Sequence, residues 1–157
     1  MSYHIIANFS SNRNYKGTLK MYDGNGNLVF GPVEALGRGT SCEENDWDHT
    51  NWEMINADTP TGVYNAWVIG PGSPESSYGP YSRVAMDPVS GNALVAEQNG
   101  RSGFQIHGGT PETNSEATWY PLRPTYGCIR LSNSNQDALI KKIDEVGGSG
   151  KVTVNNI

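Results

Sequence analysis

Phe104-Gln105-Ile106-His107-Gly108-Gly109 and, beyond a long loop, Thr125-Tyr126-Gly127-Cys128-Ile129-Arg130-Leu131 are the stretches on which the reading of this chain turns. In each, a short apolar, β-like run meets a reactive polar side chain, and glycine stands beside it. Glycine lets a backbone turn tightly or approach a ligand closely. A cysteine at such a turn can sit partly exposed at the end of a strand.

Outward from these stretches the pattern stays rich in β-strands. His4 to Phe9, Leu19 to Tyr22, Leu28 to Val33, Val63 to Ile69, Gly103 to His107 and Lys151 to Val154 read as strands bounded by turn residues. Asp23-Gly24-Asn25-Gly26-Asn27 is a hairpin loop whose glycines and asparagines tolerate positive φ. Tyr81 to Met86 and Ala93 to Glu97 are expected to form a further strand pair around Asp87-Pro88-Val89-Ser90-Gly91-Asn92. One helix stands out. Ser134, with Ser132 as the other candidate, caps a segment that places Leu139, Ile140, Ile143 and Val146 on one face, and Gly147-Gly148 stops it. The stretches Gly39–Asp58 and Thr110–Pro124 lack periodicity and read as long loops, which in a compact domain are usually functional. There is no repeat and no interdomain linker. The expectation is a single domain over residues 1–157, mainly β and mostly antiparallel, built as a β-sandwich or mixed sheet with one late α-helix.

Composition narrows the function. At 157 residues with 36% hydrophobic content the chain can bury one substantial core, and its 19 glycines and 9 prolines suit turn-rich β structure. The formal net charge of −5, with no basic stripe, argues against nucleic-acid binding by phosphate neutralisation. No run is long enough to span a membrane, and Met1 to Phe9 has neither the basic nor the apolar region of a signal peptide. Cys42 and Cys128 are too few for a disulfide framework, and a bridge between them would block the Cys128 thiol. Cys42 precedes Glu43, Glu44, Asp46, Asp48 and His49. That stretch repeats no ligand pattern and reads as a solvated acidic loop, so no metal is expected.

The two opening stretches carry the chemistry. A thiol is a poor nucleophile until ionised, and an imidazole takes its proton or pairs with the thiolate. Backbone N–H groups in the turn around a cysteine can face a developing oxyanion. By themselves, Cys128 reads rather as a small core residue and His107 as a structural histidine.

His107-Gly108, followed by Thr125-Tyr126-Gly127-Cys128-Ile129-Arg130, resembles the signature of the L,D-transpeptidase catalytic domain, the YkuD-type fold. That family has a histidine, a variable stretch, then Ser/Thr–His–Gly–Cys–hydrophobic–Arg/Asn. Thr59-Pro60-Thr61-Gly62-Val63-Tyr64 is similar to its Thr-Pro-x-Gly segment, and Leu19-Lys20-Met21-Tyr22-Asp23-Gly24 to its early hairpin. Leu131-Ser132-Asn133, the Asp137–Val146 helix and Val152-Thr153-Val154 are similar to its ending. The likeness covers most of the chain in order. Tyr126 stands where the family usually has histidine, which keeps the backbone N–H and loses a second imidazole.

The resemblance implies roles. Cys128 is the nucleophile and forms a thioester, and His107 is its base, oriented by a carbonyl near Gly108. The N–H groups of Tyr126, Gly127 and Cys128 are candidate oxyanion donors. Arg130 anchors the loop or meets a substrate carboxylate, and Thr125 supports the turn. Trp119 and Tyr120, in the intervening loop, are candidate pocket walls. The implied substrate is a peptidoglycan tetrapeptide stem, cut at the L-to-D bond before the terminal D-Ala. An amine acceptor then gives crosslinking or D-amino-acid exchange, and water gives L,D-carboxypeptidase activity. The chemistry needs no cofactor, and carbapenems are expected to acylate the thiol.

Two other classes compete. A papain-like or amidase thiol hydrolase usually places cysteine before histidine, the reverse of the order here. A non-enzymatic wall-binding module could use Trp47, Trp52, Trp67, Trp119 and the tyrosines as a stacking surface, although Trp67 reads as core filling. The implied place of action is the periplasm or cell wall. Without a readable export signal, delivery by a secretion machine, as a toxin with an immunity protein as partner, fits as well as a shortened form of a secreted enzyme.

Overall fold

The computed structural model describes residues 2–40 and 57–157. Cys42, Trp47, Trp52 and the acidic stretch after Cys42 lie outside the described residues. The strands are β1 (Ser2–Phe9), β2 (Gly17–Asp23), β3 (Leu28–Ala35), β4 (Gly62–Ile69), β5 (Arg83–Ser90), β6 (Phe104–His107), β7 (Ile129–Arg130) and β8 (Ser149–Asn156). The helices are α1 (Glu75–Tyr78), α2 (Asn92–Gln98) and α3 (Asn133–Val146).

Period-two alternation explains the core. In β1, Tyr3, Ile5, Ala7 and Phe9 all point inward and are buried. They meet Leu19 and Met21 of β2, Tyr64 of β4, Val152 and Val154 of β8, and Leu139 and Ile143 of α3 in one cluster. The β2–β3 hairpin turns where expected, because the Asp23 carboxylate accepts the N–H groups of Asn25 (2.9 Å) and Asn27 (3.0 Å).

All eight strands form one sheet in the order β3-β2-β1-β8-β4-β5-β6-β7. Of the two layouts open to the sequence, it is the mixed sheet: β1–β8 and β6–β7 are parallel, the other pairs antiparallel. The sheet curls until its ends meet. Leu36, just past β3, exchanges both backbone hydrogen bonds with Arg130 of β7, at 3.0 and 2.9 Å. Gly39 and Thr125 form a second bridge there. This closure brings residues after β3 against the segment that carries Cys128.

Three local expectations are corrected. Ala93 to Glu97 lies within helix α2, not in a strand, and β5 pairs instead with β4 and β6. Alanine favours helix, and Ala93 and Ala96, three apart, share the buried face. Trp67 is 49% exposed rather than core filling, because β4 alternates Tyr64 and Ala66 inward with Asn65 and Trp67 outward. The N-cap of α3 is Ser132, whose Oγ accepts from Asn135 N–H at 3.2 Å; Ser134 is already helical. The short helix α1 had no sequence signal.

Candidate active site

β6 ends on His107 because the next two residues must leave the sheet as glycines. A Cβ on Gly108 would meet the side chains of Asn133 and Gln136. Gly109, at φ 143°, lies against the Arg130 guanidinium where a side chain would stand. The imidazole is buried, and its Nδ1 lies 2.7 Å from Gly108 O. A carbonyl only accepts, so Nδ1 carries the hydrogen and Nε2 keeps its lone pair. The Tyr78 ring meets the imidazole edge-on, with centroids 5.1 Å apart.

β7 follows directly on Cys128 and pairs in parallel with β6, setting Ile106 opposite Ile129 and His107 opposite Arg130. The turn before it is organised by one hydroxyl. Thr125 Oγ accepts from Gly127 N–H (3.1 Å) and donates to Cys128 O (2.8 Å). Gly127 takes φ 112°, where a side chain would strike the Arg101 guanidinium and Ala57 O. Cys128 is a half-buried free thiol whose Sγ lies 3.5 Å from Gly103 O.

Both side chains open on one cleft of about 800 Å³, whose walls include Tyr78, Arg101, Trp119 and Tyr126. Of the expected site residues, Thr125 and Arg130 also line it, while Gly127 and Gly108 stand behind it as backbone. Tyr120 does not line it. Its side chain is exposed, and its carbonyl accepts from Lys16 Nζ at 2.8 Å. Trp119 is held as a wall: its Nε1 donates to Glu112 at 2.7 Å, and Arg38 stacks 4.2 Å from the ring. Tyr126 is 73% exposed.

Arg130 is buried and spends its donors on backbone. Nε donates to Arg123 O (3.0 Å), and Nη1 to Ser77 O (3.3 Å) and Gly108 O. Gly108 O therefore takes hydrogen bonds from both Arg130 and the imidazole, which ties the ring's orientation to the β7 strand. Sequence reasoning missed Tyr78 and Arg101, which carry no local signal. Arg101 is buried and donates to Ala57 O (3.0 Å) and Asp58 O (3.1 Å).

The charge states follow from burial. Burial pushes the His107 imidazole down to about 4; the Gly108 hydrogen bond opposes this, and the Arg130 and Arg83 cations add to it. Burial pushes the Cys128 thiol up to about 11, against the Gln105 backbone N–H and the Arg130, Arg101 and Arg83 cations. At neutral pH the resting cleft holds a neutral thiol and a neutral imidazole. The neutral imidazole keeps an Nε2 lone pair that can accept a proton, although burial makes it a weak base in the resting cleft. No cluster of three metal-ligating side chains occurs among the described residues.

The shape is shared with known structures. Bd1075 of Bdellovibrio bacteriovorus superposes with a TM-score of 0.54 at 17% identity, covering 98% of this chain and 48% of that one. The helical cell shape determining protein Pgp2 of Campylobacter jejuni gives 0.54 at 19%, covering 99% of this chain and 48% of that one. The chain thus spans about half the length of these structures, and at such identities the likeness shows the fold alone. Among curated proteins none matches significantly. The model of one family, described as the L,D-transpeptidase catalytic domain (YkuD), matches residues 2–154, nearly the whole chain. By that match, this chain belongs to the YkuD family of L,D-transpeptidase catalytic domains.

Proposed function

We propose that the chain is a cysteine acyltransferase acting on peptidoglycan tetrapeptide stems. Cys128 Sγ attacks the carbonyl of the L-to-D bond while His107 Nε2 takes the thiol proton. The tetrahedral intermediate collapses with cleavage of the C–N bond, and the same imidazole returns the proton to the departing D-Ala amine. The stem remains on Cys128 as a thioester. An acceptor amine then attacks it, losing a proton to His107, and the thiol leaves and recovers that proton. Trp119, Tyr126 and Arg130 line the space the stem would fill. The substrate's location places the action in the periplasm or cell wall.

One observation carries this reading: a free thiol and an imidazole with its Nε2 lone pair available open on the same cleft. Incubation with purified muropeptides and mass analysis of the products tests it. Loss of D-Ala with a new crosslink or exchanged D-amino acid is transpeptidation, and loss of D-Ala alone is carboxypeptidation. Unchanged tetrapeptides, from folded protein with a reactive thiol, would sink the proposal.

A further inference from the structure

The Thr-Pro-x-Gly segment lies far from the cysteine in sequence and does not line the cleft, yet it touches the catalytic turn directly. Thr59 is fully buried, and its hydroxyl donates to Gly127 O at 2.8 Å. Thr59 is itself fixed on both sides: its N–H donates to Gly37 O (2.8 Å), and its carbonyl accepts from Arg13 Nη2 (3.4 Å). The neighbouring carbonyls of Ala57 and Asp58 receive the Arg101 guanidinium, which packs against the Cα of Gly127. Gly127 is therefore gripped from behind at its carbonyl and at its α-carbon.

Gly127 O belongs to the same peptide unit as Cys128 N–H. That unit is trans, the cis bonds all preceding proline. In a planar trans peptide the C=O and N–H point in opposite directions. A clamp that draws Gly127 O toward buried Thr59 turns Cys128 N–H the other way, to the cleft side. Gly127 N–H is already spent on Thr125 Oγ. Of the three backbone donors expected at this turn, Gly127's is thus occupied and Cys128's is aimed.

We propose that Thr59 is a positioning residue that sets the Gly127–Cys128 peptide plane, so that Cys128 N–H donates to the oxyanion formed during acylation. This deepens the acyl-transfer reading above and rests on it. Thr59 touches no substrate and moves no proton.

The role separates two reactions of one thiol. Acylation passes through a tetrahedral oxyanion, whereas alkylation by iodoacetamide is a direct displacement at carbon and forms none. Replacing Thr59→Val removes the hydroxyl at nearly constant volume. Acylation of Cys128 by a carbapenem, followed by mass, should then slow by about a hundredfold, the scale of losing one oxyanion donor. Alkylation should keep its native rate, and Thr59→Ser should restore acylation. Acylation at the native rate in Thr59→Val, or an equal fall in both reactions, would overturn the proposal. Should Thr59→Val not fold, Thr59→Ala decides: it also removes the hydroxyl and should show the same slowed acylation with native alkylation, and acylation at the native rate would refute the assignment. Native protein that is alkylated at Cys128 but never acylated would instead bring down the acyl-transfer reading itself, and the role of Thr59 with it.

Discussion

The turn that carries Cys128 and the loop between residues 110 and 124 both line the cleft and are built on different plans. In the turn, Thr125, Gly127 and the Cys128 carbonyl are all tied by hydrogen bonds, and Thr59, Arg101 and Arg130 brace it from below. The loop is mostly exposed and is tied at separate points along its length: Leu122 is buried, Trp119 is held by Glu112 and Arg38, Thr110 N–H donates to Ser76 O at 2.9 Å, and the carbonyls of Tyr120 and Arg123 accept from Lys16 and Arg130. Chemistry that depends on geometry to within fractions of an ångström belongs on the braced side. A wall that needs only to exclude water and meet a substrate can stand on the looser one. Substitutions on the two sides should therefore differ in kind.

The largest effect should come from Cys128→Ala, which is expected to abolish turnover of tetrapeptide stems and adduct formation by a carbapenem while the thermal unfolding midpoint stays near native. Residual transpeptidation by that protein would break the assignment of the nucleophile. His107→Ala should slow acylation by about a hundredfold or more, the usual scale for losing a general base. Stopped-flow acylation checks it, and a near-native rate would remove His107 from the mechanism. Gly127→Ala tests the bracing. It adds about 1–3 kcal/mol of backbone strain at a positive φ, and its methyl must displace Arg101. Denaturant unfolding should show the loss in stability, and acylation should fall with it.

On the looser side, Trp119→Ala should raise KM by roughly tenfold and leave kcat nearly unchanged, the mark of lost uniform binding. Tyr120→Ala, one residue along and outside the cleft, should leave both near native. Equal effects at the two positions would show that the loop acts as a unit and that Trp119 is no wall.

The smallest effect concerns pH. The unfolded chain protonates His107 near 6.5, whereas the buried imidazole resists until about 4. Between those values the unfolded state binds more protons, so stability rises with pH and this contribution is lost as pH falls through the interval. In His107→Gln that part of the dependence should vanish from the unfolding midpoint. For activity the same burial predicts loss of rate as pH falls through the His107 value of about 4, and ionisation of the thiol, which raises its nucleophilicity, only near about 11. These are apparent values of the pair. A rate that rises with an apparent pKa near neutrality would mean that the substrate-bound cleft ionises differently from the resting one.

Strands with one buried face were legible because alternation leaves a mark in the sequence itself. β1, β2 and β4 lie where apolar residues recur at every second position. The same signal failed at Ala93–Glu97, a short apolar run that fits either period and that alanine tips to helix. It failed at Trp67 because hydrophobicity does not say which face of a strand looks outward.

Cys128 and His107 were singled out by the resemblance of their two stretches to a family signature, since glycine beside a polar side chain fits a structural residue as well. Their charge states were beyond that resemblance, because the shifts to about 4 and about 11 come chiefly from burial, a property of the folded surroundings. Arg101, Tyr78 and the contact of Thr59 with Gly127 were equally invisible. Thr59 hangs on the segment after β3 that the curl of the sheet sets against this turn, and Tyr78 and Arg101 arrive from the connections before and after β5. The sequence by itself determined the strand-rich fold class, written in local pattern, and its resemblance to a family marked Cys128 and His107 as the candidate pair. Tertiary structure alone decided which neighbours grip them and which protons they hold, because closure and desolvation depend on contacts between residues far apart in the chain.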